Sequence, residues 1–230
     1  MIEGDYLNTT NSMFNNYQLK YLKSNAINDY RNRYDNTPSY SYNYRLGPQY
    51  TFVIPNGFRL FTGYQYQQKG SYRNNQKYRL DKLYKWQEEN HDLGSLPSSR
   101  DSLLLALDAN NSYKGYYISK QNSVSLGFGC SKSKNHNNVF FNTNVSVGYK
   151  SEKLDYRNSL LNTSVKQYNW VAGLSLNMGF TINKYSFYGT MTSKMETPDL
   201  YSKITRSDNS NPLAISLGNP NLKNSRKTNV

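Results

Sequence analysis

Hydrophobic and polar residues alternate with a period of two along much of this chain. From Tyr40 to Ile54 the even positions are aromatic or aliphatic apart from Pro48, and the odd positions are small or polar apart from Val53. The turn sequence Pro55-Asn56-Gly57 follows, and residues 58–67 then alternate in the same way. Because successive side chains of a strand point to opposite faces, this pattern predicts a long amphipathic hairpin.

The same pattern recurs downstream at 113–132, 139–150, 168–180 and 185–192, with a weaker copy at 13–21. About seven strands are therefore predicted, all much longer than the ~5–6 residues of an average globular strand. They are long enough for the ~9–11 residues that a membrane-spanning strand needs. Their polar face consists mainly of Gly, Ser, Asn and Thr, which favours a water-filled or plugged lumen over a packed core.

The predicted connections alternate between short and long. The short ones are residues 55–57, 133–138 and 181–184, while 157–166 is intermediate and 23–39, 69–112 and 194–223 are long. Outer-membrane barrels have short periplasmic turns and long extracellular loops. Within the longest loop, Ser102 to Leu107 is apolar enough for a short helix or an inward-folded segment.

These patterns predict an all-β fold, namely an antiparallel up-and-down transmembrane β-barrel segment occupying residues 1–230 as one partial domain. In lipid only a closed sheet satisfies every backbone group, so strands of this kind imply a barrel. The aromatic residues near the strand ends are predicted to face lipid or to form interfacial girdles. They are Tyr40, Tyr42, Tyr50, Phe52, Phe58, Tyr64, Phe128, Tyr149, Tyr168, Trp170, Phe180 and Tyr185.

Charge and composition limit the other possibilities. With 28 Lys and Arg against 15 Asp and Glu the net charge is +13, but the basic residues are scattered singly, so no nucleic-acid partner is expected. One Cys and two distant His exclude a disulfide framework and a Cys-rich metal site. The run Glu88 to Asp92 is interpreted as solvated, with a divalent-cation contact as the alternative. No catalytic residue, bound metal or cofactor is expected, and the chain is not predicted to be an enzyme.

One segment carries a more specific pattern. It begins with Met195-Glu196-Thr197-Pro198-Asp199-Leu200 and continues through residues 207–223 with Asn-Pro-Leu and Gly-Asn-Pro-Asn-Leu-Lys elements. This pattern resembles the late-barrel stretch of TonB-dependent receptors and related outer-membrane barrels, although Asn224-Ser225 stands where the family usually has Pro-Glu. The residues that carry the resemblance are Pro198, Leu200, Asn209, Asn211, Pro212, Gly218, Asn219, Pro220, Asn221 and Leu222. Gly218-Asn219 permits a positive-φ turn.

The resemblance implies a protein of the Gram-negative outer membrane that takes up a bulky nutrient through a ~22-stranded barrel. We expect this chain to be an internal piece of such a barrel, without plug domain or signal peptide. Outer-membrane lipid is the expected partner, together with a TonB-type energy-coupling complex reached through missing N-terminal parts; the substrate is unknown. The alternatives are a non-transporting barrel or adhesin, or a basic β protein that binds nucleic acid or polysaccharide.

Overall fold

The computed structural model describes residues 2–19, 29–84, 86, 94–134, 137–211 and 214–230. Nearly all of the regular structure is β-strand, with two short helices in the connections. The strands are β1 (Ile2–Leu19), β2 (Asp29–Leu46), β3 (Gln49–Ile54), β4 (Phe58–Arg79), β5 (Tyr113–Lys134), β6 (Asn137–Arg157), β7 (Asn162–Ile182), β8 (Tyr185–Glu196), β9 (Ser207–Asn211), β10 (Ala214–Leu217) and β11 (Ser225–Asn229). The helices are α1 (Arg100–Leu105) and α2 (Leu200–Lys203).

The main sheet is an antiparallel up-and-down meander with the order β1-β2-β4-β5-β6-β7-β8-β11, and β3 also pairs with β4. The predicted all-β, antiparallel, up-and-down fold is confirmed. The sheet has one more position than the seven predicted strands, because β11 pairs with β8.

The strand predicted at 40–54 is interrupted rather than continuous. Its two parts, β2 and β3, nevertheless pair with β4 in one register, since Leu46 lies opposite Tyr66 and Gln49 opposite Gly63. Pro48 has no N–H to donate to the ladder, but its carbonyl accepts a hydrogen bond of 3.1 Å from the Tyr64 amide. The proline thus interrupts the strand without changing which side chains face which way.

Several of the predicted loops are partly strand, since 162–166 belongs to β7 and the predicted loop 194–223 contains β9 and β10. Residues 29–39 belong to β2 and residues 69–79 to β4, and they pair with each other from Arg33 opposite Arg79 to Ser39 opposite Arg73. The alternation does not reveal this pairing because both faces carry polar side chains here. Backbone hydrogen bonding still extends the strands, since water or polar loops can cover both faces.

The two ends of the sheet have different connections. At one end, here called the turn side, the connections are Pro55–Gly57 and Asn183-Lys184, with left-handed backbone at Asn56, Gly57 and Asn183. At the opposite end, the loop side, the described connections include 80–112 and 197–224. The predicted short connections at 55–57 and 181–184 and the long ones within 69–112 and 194–223 are found. The connection predicted at 157–166 is shorter than expected, because only residues 158–161 join β6 to β7 on the loop side. The alternation of short and long connections is therefore confirmed only in part. None of the described helices is long and apolar enough to cross a membrane.

Register divides the sheet into two faces. Phe58, Cys130, Phe141 and Met178 are cross-strand neighbours and mark what we call the outer face. On the opposite face, one cavity of about 850 Å³ is lined by residues from Arg45 on β2 to Glu196 on β8. Strands so far apart can line one cavity only if the sheet curves around it, so we call this the concave face. Among the described residues, the edge strands β1 and β11 each pair on one side only.

Both buried clusters of the described residues lie on the loop side. The first, on the outer face, is covered by residues around α1, with Leu103 and Leu107 packed against it. Ser102–Leu107 therefore contributes the predicted short helix, but it covers the outer face and does not fold inward. The second cluster lies on the concave face beneath α2. The clusters are Tyr34, Tyr78, Leu80 and Ala106, and Tyr113, Leu154, Tyr156, Leu200 and Ile204.

Candidate functional site: the concave face and its lid

The cavity on the concave face is lined mainly by small and polar side chains. Gly63, Ser123, Ser125, Ser146 and Gly173 line the cavity between β4 and β8. Their short side chains leave open the space that aliphatic residues would fill in an ordinary core. The volume falls within the ~300–1,000 Å³ range of small-molecule sites. This surface offers hydroxyl and amide groups to a solute.

Residues 197–211, here called the lid, fold over the loop side of the concave face. Leu200 and Ile204 are 1% and 2% exposed, packed in the cluster that also contains Leu154 and Tyr156. The Arg206 guanidinium lies 4.8 Å from the ring centroid of Tyr113 and donates a 3.3 Å hydrogen bond to the Tyr156 hydroxyl. The apolar anchor of the lid is therefore a small core of its own.

A buried carboxylate, Glu152 on β6, forms the first polar anchor. It accepts hydrogen bonds from the Tyr117 hydroxyl and, at 2.8 Å, from Gln167 Nε2, and it pairs at 2.8 Å with Lys150 Nζ. Gln167 Nε2 also donates to the Pro198 carbonyl at 3.0 Å, and Lys150 Nζ to Thr197 Oγ1 at 2.8 Å. The start of the lid is thus tied to the sheet through the groups that neutralise Glu152.

Burial opposes ionisation of Glu152, but the hydrogen bonds from Lys150, Tyr117 and Gln167 outweigh it and lower the pKa of the carboxyl. Burial, together with the hydrogen bond to Glu152, raises the pKa of the Tyr117 hydroxyl. Glu152 therefore stays ionised and Tyr117 stays protonated near neutral pH, as their hydrogen bond requires.

The second polar anchor holds the end of the lid. Lys77 Nζ lies 2.8 Å from Asp208 Oδ2 and 2.7 Å from Ser210 Oγ, and Arg33 donates to the Ser210 carbonyl at 2.9 Å. Burial alone would raise the pKa of Asp208, but the hydrogen bonds from Lys77 and Ser210 lower it to about 2. Nearby, burial raises the pKa of Asp35 although Arg33 lies 2.8 Å away.

Three residues that carry the resemblance hold the lid in place. The Pro198 carbonyl accepts from Gln167, and Leu200 is buried in the core beneath α2. The Asn209 side-chain oxygen accepts from Asn111 Nδ2 at 3.0 Å, and its backbone N–H donates to Asn111 Oδ1 at 3.3 Å. Asn211 is the last residue of β9, and Pro212 lies outside the described residues.

Gly218 and Asn219 dock the following segment against the lid, but not through the expected turn. The positive-φ positions of the described residues are Asn56, Asn183, Gly57 and Gly94, so the positive-φ turn that Gly218-Asn219 would permit is not formed. A Cβ on Gly218 would instead lie 1.6 Å from the Ile204 carbonyl oxygen, so close backbone approach requires glycine there. The Asn219 amide donates to the Ser202 carbonyl at 2.8 Å, and its side chain accepts from the Asn221 amide at 2.9 Å. Pro220 and Leu222 are exposed.

Register puts the twelve predicted aromatic residues on the outer face. Trp170 and Tyr185 are 67% and 81% exposed. Tyr40 lies further toward the loop side, where its ring stacks on Tyr72 and Tyr6 with centroids 5.3 and 6.4 Å apart.

Several residues with a clear role were missed by the sequence reasoning. Glu152, Gln167 and Lys77 lie where both strand faces are polar, so hydrophobic alternation carries no signal. Parity extended from the apolar part of each strand could have assigned them to the concave face.

The acidic side chains of Glu196, Asp199 and Asp208 have separate partners and do not form a cation site. Asp208 pairs with Lys77, Glu196 pairs with Lys194 at 3.2 Å, and Asp199 caps α2. Within the described part of the chain, no group of three or more His, Cys, Asp or Glu could hold a metal ion. Glu88 to Asp92 lies outside the described residues.

No protein-family model, curated protein or solved structure matches this chain. A proposal about its function therefore depends on the residues and geometry described above.

Proposed function

We propose that this chain forms part of an outer-membrane β-barrel, resembling the TonB-dependent receptors, that takes up a nutrient across the outer membrane. The observation that carries the proposal is an exposed, uncharged, largely apolar zone on the outer face of β3 to β8, here called the outer band. It comprises the outer-face positions within Tyr50–Ile54, Phe58–Tyr66, Asn122–Cys130, Val139–Tyr149, Trp170–Ile182 and Tyr185–Met195. None of these positions carries Asp, Glu, Lys or Arg.

The outer band is too apolar for a surface that water covers. Leu126 is 59% exposed, Val145 49% and Met178 52%, and they lie on adjacent strands. Monomeric soluble proteins rarely expose contiguous apolar patches larger than a few hundred Å². In a hydrocarbon environment these apolar side chains would not be exposed to water.

The height of the outer band fits a bilayer. From Val139 to Tyr149, and from Trp170 to Phe180, a strand advances roughly 33 Å at about 3.3 Å per residue. At the ~35–45° tilt of barrel strands this corresponds to about 25 Å, the height of the apolar zone of outer-membrane barrels. Tyr149 and Trp170 lie at the loop-side limit, where interfacial aromatic residues are expected.

The concave face and lid support a role in solute passage. A curved sheet with an apolar outside and a hydroxyl-rich inside is the arrangement of a barrel that surrounds a polar lumen. The lid occupies the loop side of that lumen, where solute would enter. The long loop-side connections would make the first contact with a nutrient.

The open edges indicate how the barrel would be completed. In lipid, the unpaired backbone groups of β1 and β11 each need a neighbouring strand. Another segment of a longer protein or another chain would supply these strands. A TonB-type energy-coupling complex would act through parts outside the described structure.

Cysteine scanning along β5 tests the membrane placement. In a Cys130→Ser background, Ser123→Cys, Val124→Cys, Ser125→Cys and Leu126→Cys are labelled with an environment-sensitive fluorophore, and the protein is reconstituted in lipid vesicles. Val124 and Leu126 are expected to be quenched by nitroxide lipids, and Ser123 and Ser125 by aqueous iodide. Equal access of iodide to all four positions would exclude a lipid-facing outer band.

Nutrient uptake is tested in cells that lack the full-length protein, by comparing growth on single nutrients. Lost growth on one nutrient supports import. Unchanged growth together with lost surface binding of a partner would favour the adhesin alternative.

A further inference from the structure

Directly beyond the loop-side limit of the outer band, the outer face changes from uncharged and apolar to positively charged. Lys120, Lys153 and Lys166 lie there on three adjacent strands, and we call them the lysine patch. Lys153 is opposite both Ile118 on β5 and Lys166 on β7. Lys120 lies one outer-face row nearer the band, at the level of Tyr168. The patch is therefore one continuous cationic surface beside the aromatic limit of the band.

A second cationic row lies farther toward the loop side, where Lys114 is opposite Arg157. The one carboxylate on this part of the outer face is Asp155, which pairs with Lys153 at 2.7 Å. Hydrogen bonds from Lys153 and Ser164 lower the pKa of Asp155, so it remains ionised and neutralises one charge. The five cationic side chains still exceed it, and the surface carries a net positive charge.

The lysine patch differs from the lysines of the concave face. Lys150 and Lys194 are each paired with a glutamate, Glu152 and Glu196. Lys120 and Lys166 are exposed, and within the described part of the chain no ion pair involves them. Asp155 also attracts Lys166 electrostatically, since this lysine contributes to the lowered pKa of the carboxyl. The surface nevertheless keeps an excess of positive charge, which an external anion would balance.

We propose that the lysine patch binds the phosphate groups of anionic lipid headgroups. The proposal rests on the proposed membrane location, since Tyr149, Tyr168 and Trp170 would set the headgroup level beside it. Long lysine side chains extend along an apolar surface and place their ammonium groups among headgroups. A basic side chain at an anionic membrane surface favours binding roughly fivefold. Three lysines together therefore predict selective enrichment of anionic lipid.

Trp170 provides the readout because it lies beside the patch and is 67% exposed. The chain has two tryptophans, so a Trp86→Phe variant of the full chain isolates its fluorescence. The protein is reconstituted in vesicles of phosphatidylcholine with a minor fraction of phosphatidylglycerol, with bromine on the acyl chains of one lipid or the other. Quenching per brominated lipid is expected to be several-fold greater with brominated phosphatidylglycerol.

Two triple variants distinguish an effect of the lysine patch from an effect of the total charge of the protein. Lys120→Gln/Lys153→Gln/Lys166→Gln is expected to abolish the preference, so that both lipids quench equally. Lys69→Gln/Lys203→Gln/Lys223→Gln removes the same charge elsewhere and is expected to retain it. Replacing the patch lysines by Arg should also retain it, which controls for altered folding.

Each result has one meaning. Equal quenching by both lipids in the parent, or an unchanged preference in the patch variant, would overturn the lipid-binding proposal while leaving the membrane location intact. Absence of quenching by either lipid would show that Trp170 does not face the bilayer. That outcome would overturn the membrane location and with it the lysine patch as a lipid site.

Discussion

The turn-side and loop-side halves of the sheet are made from the same strands but are stabilised differently. On the turn side, Leu126 of β5 is 59% exposed within the outer band. On the loop side, Leu154 of β6 is completely buried beneath the lid. One backbone ladder therefore joins a half with its own packed cores to a half whose apolar residues face outward.

This difference shows that the hydrogen-bonded ladder continues through the sheet whether or not its apolar side chains are buried by the chain itself. The ladder from Lys114–Arg157 to Lys134–Asn137 runs without a register shift through both halves. On the loop side, apolar side chains are buried by connections of this chain. On the turn side, the proposed lipid environment would bury the apolar side chains and so stabilise a sheet with many exposed aliphatic residues.

The largest loss of stability is expected when a buried side chain of the loop-side core is truncated. Leu154→Ala would leave a cavity between the sheet and the lid, lowering the free energy of unfolding by about 3–5 kcal/mol. Denaturant unfolding of the reconstituted chain, followed by circular dichroism, measures this. Leu160→Ala is the control, because Leu160 is 78% exposed and its loss should change stability by less than about 0.5 kcal/mol. Equal effects would mean that the lid does not form a core.

The second largest loss of stability is expected when a charged residue is introduced into the outer band. Leu126→Arg would place a cation near the middle of the band and destabilise the lipid-inserted protein by about 2–4 kcal/mol. The matched control is Ser123→Arg, which faces the cavity and meets polar surroundings. Unfolding from lipid vesicles compares the two variants. If both are equally tolerated, the turn-side half is not lipid-facing and the contrast between the halves fails.

The polar anchor at Asp208 predicts that the free energy of unfolding depends on pH through a group on the loop side. Its pKa in the folded protein is about 2, below the ordinary aspartate value of 3.8, so folding favours the ionised form. The stabilisation is complete above pH ~4 and is lost as the pH falls toward ~2, amounting to about 2 kcal/mol. Asp208→Asn should remove this part of the pH dependence of unfolding, whereas Glu3→Gln, at an exposed pair, should preserve it. Identical pH profiles for wild type and Asp208→Asn would contradict the assignment.

The same contrast explains what the sequence could predict. Alternation is strong where one face is apolar, so β5 to β8 and the turns at 55–57 and 183–184 follow from the sequence. It fails in the polar parts of β2 and β4, where both faces of residues 29–39 and 69–79 are hydrophilic. In these segments the strands are formed by backbone hydrogen bonds and by packing of the connections, and the sequence shows no hydrophobic alternation that would predict them.

The site was predictable only in part for a related reason. Pro198, Leu200, Asn209 and Gly218 stood out through a resemblance, and the structure brings them into or against the lid. Their partners Gln167 and Asn111 come from distant parts of the chain. A contact between residues 98 positions apart depends on how the loops fold back on the sheet. Local pattern contains no information about that path.

The smallest expected effect concerns the lid alone and would sharpen the contrast. Asp199 caps α2 by accepting a 3.2 Å hydrogen bond from the Tyr201 amide. Asp199→Ala leaves that amide without its partner, and loss of such a cap destabilises a helix by about 1 kcal/mol. Because α2 belongs to the lid, hydrogen exchange should accelerate at the Tyr201 and Ser202 amides and remain unchanged at Leu126 on the turn side. Asp199→Asn keeps the accepting oxygen and should behave nearly like wild type. Faster exchange at Leu126 as well would mean that the two halves open as one unit, so that the lid and the outer band share a single source of stability.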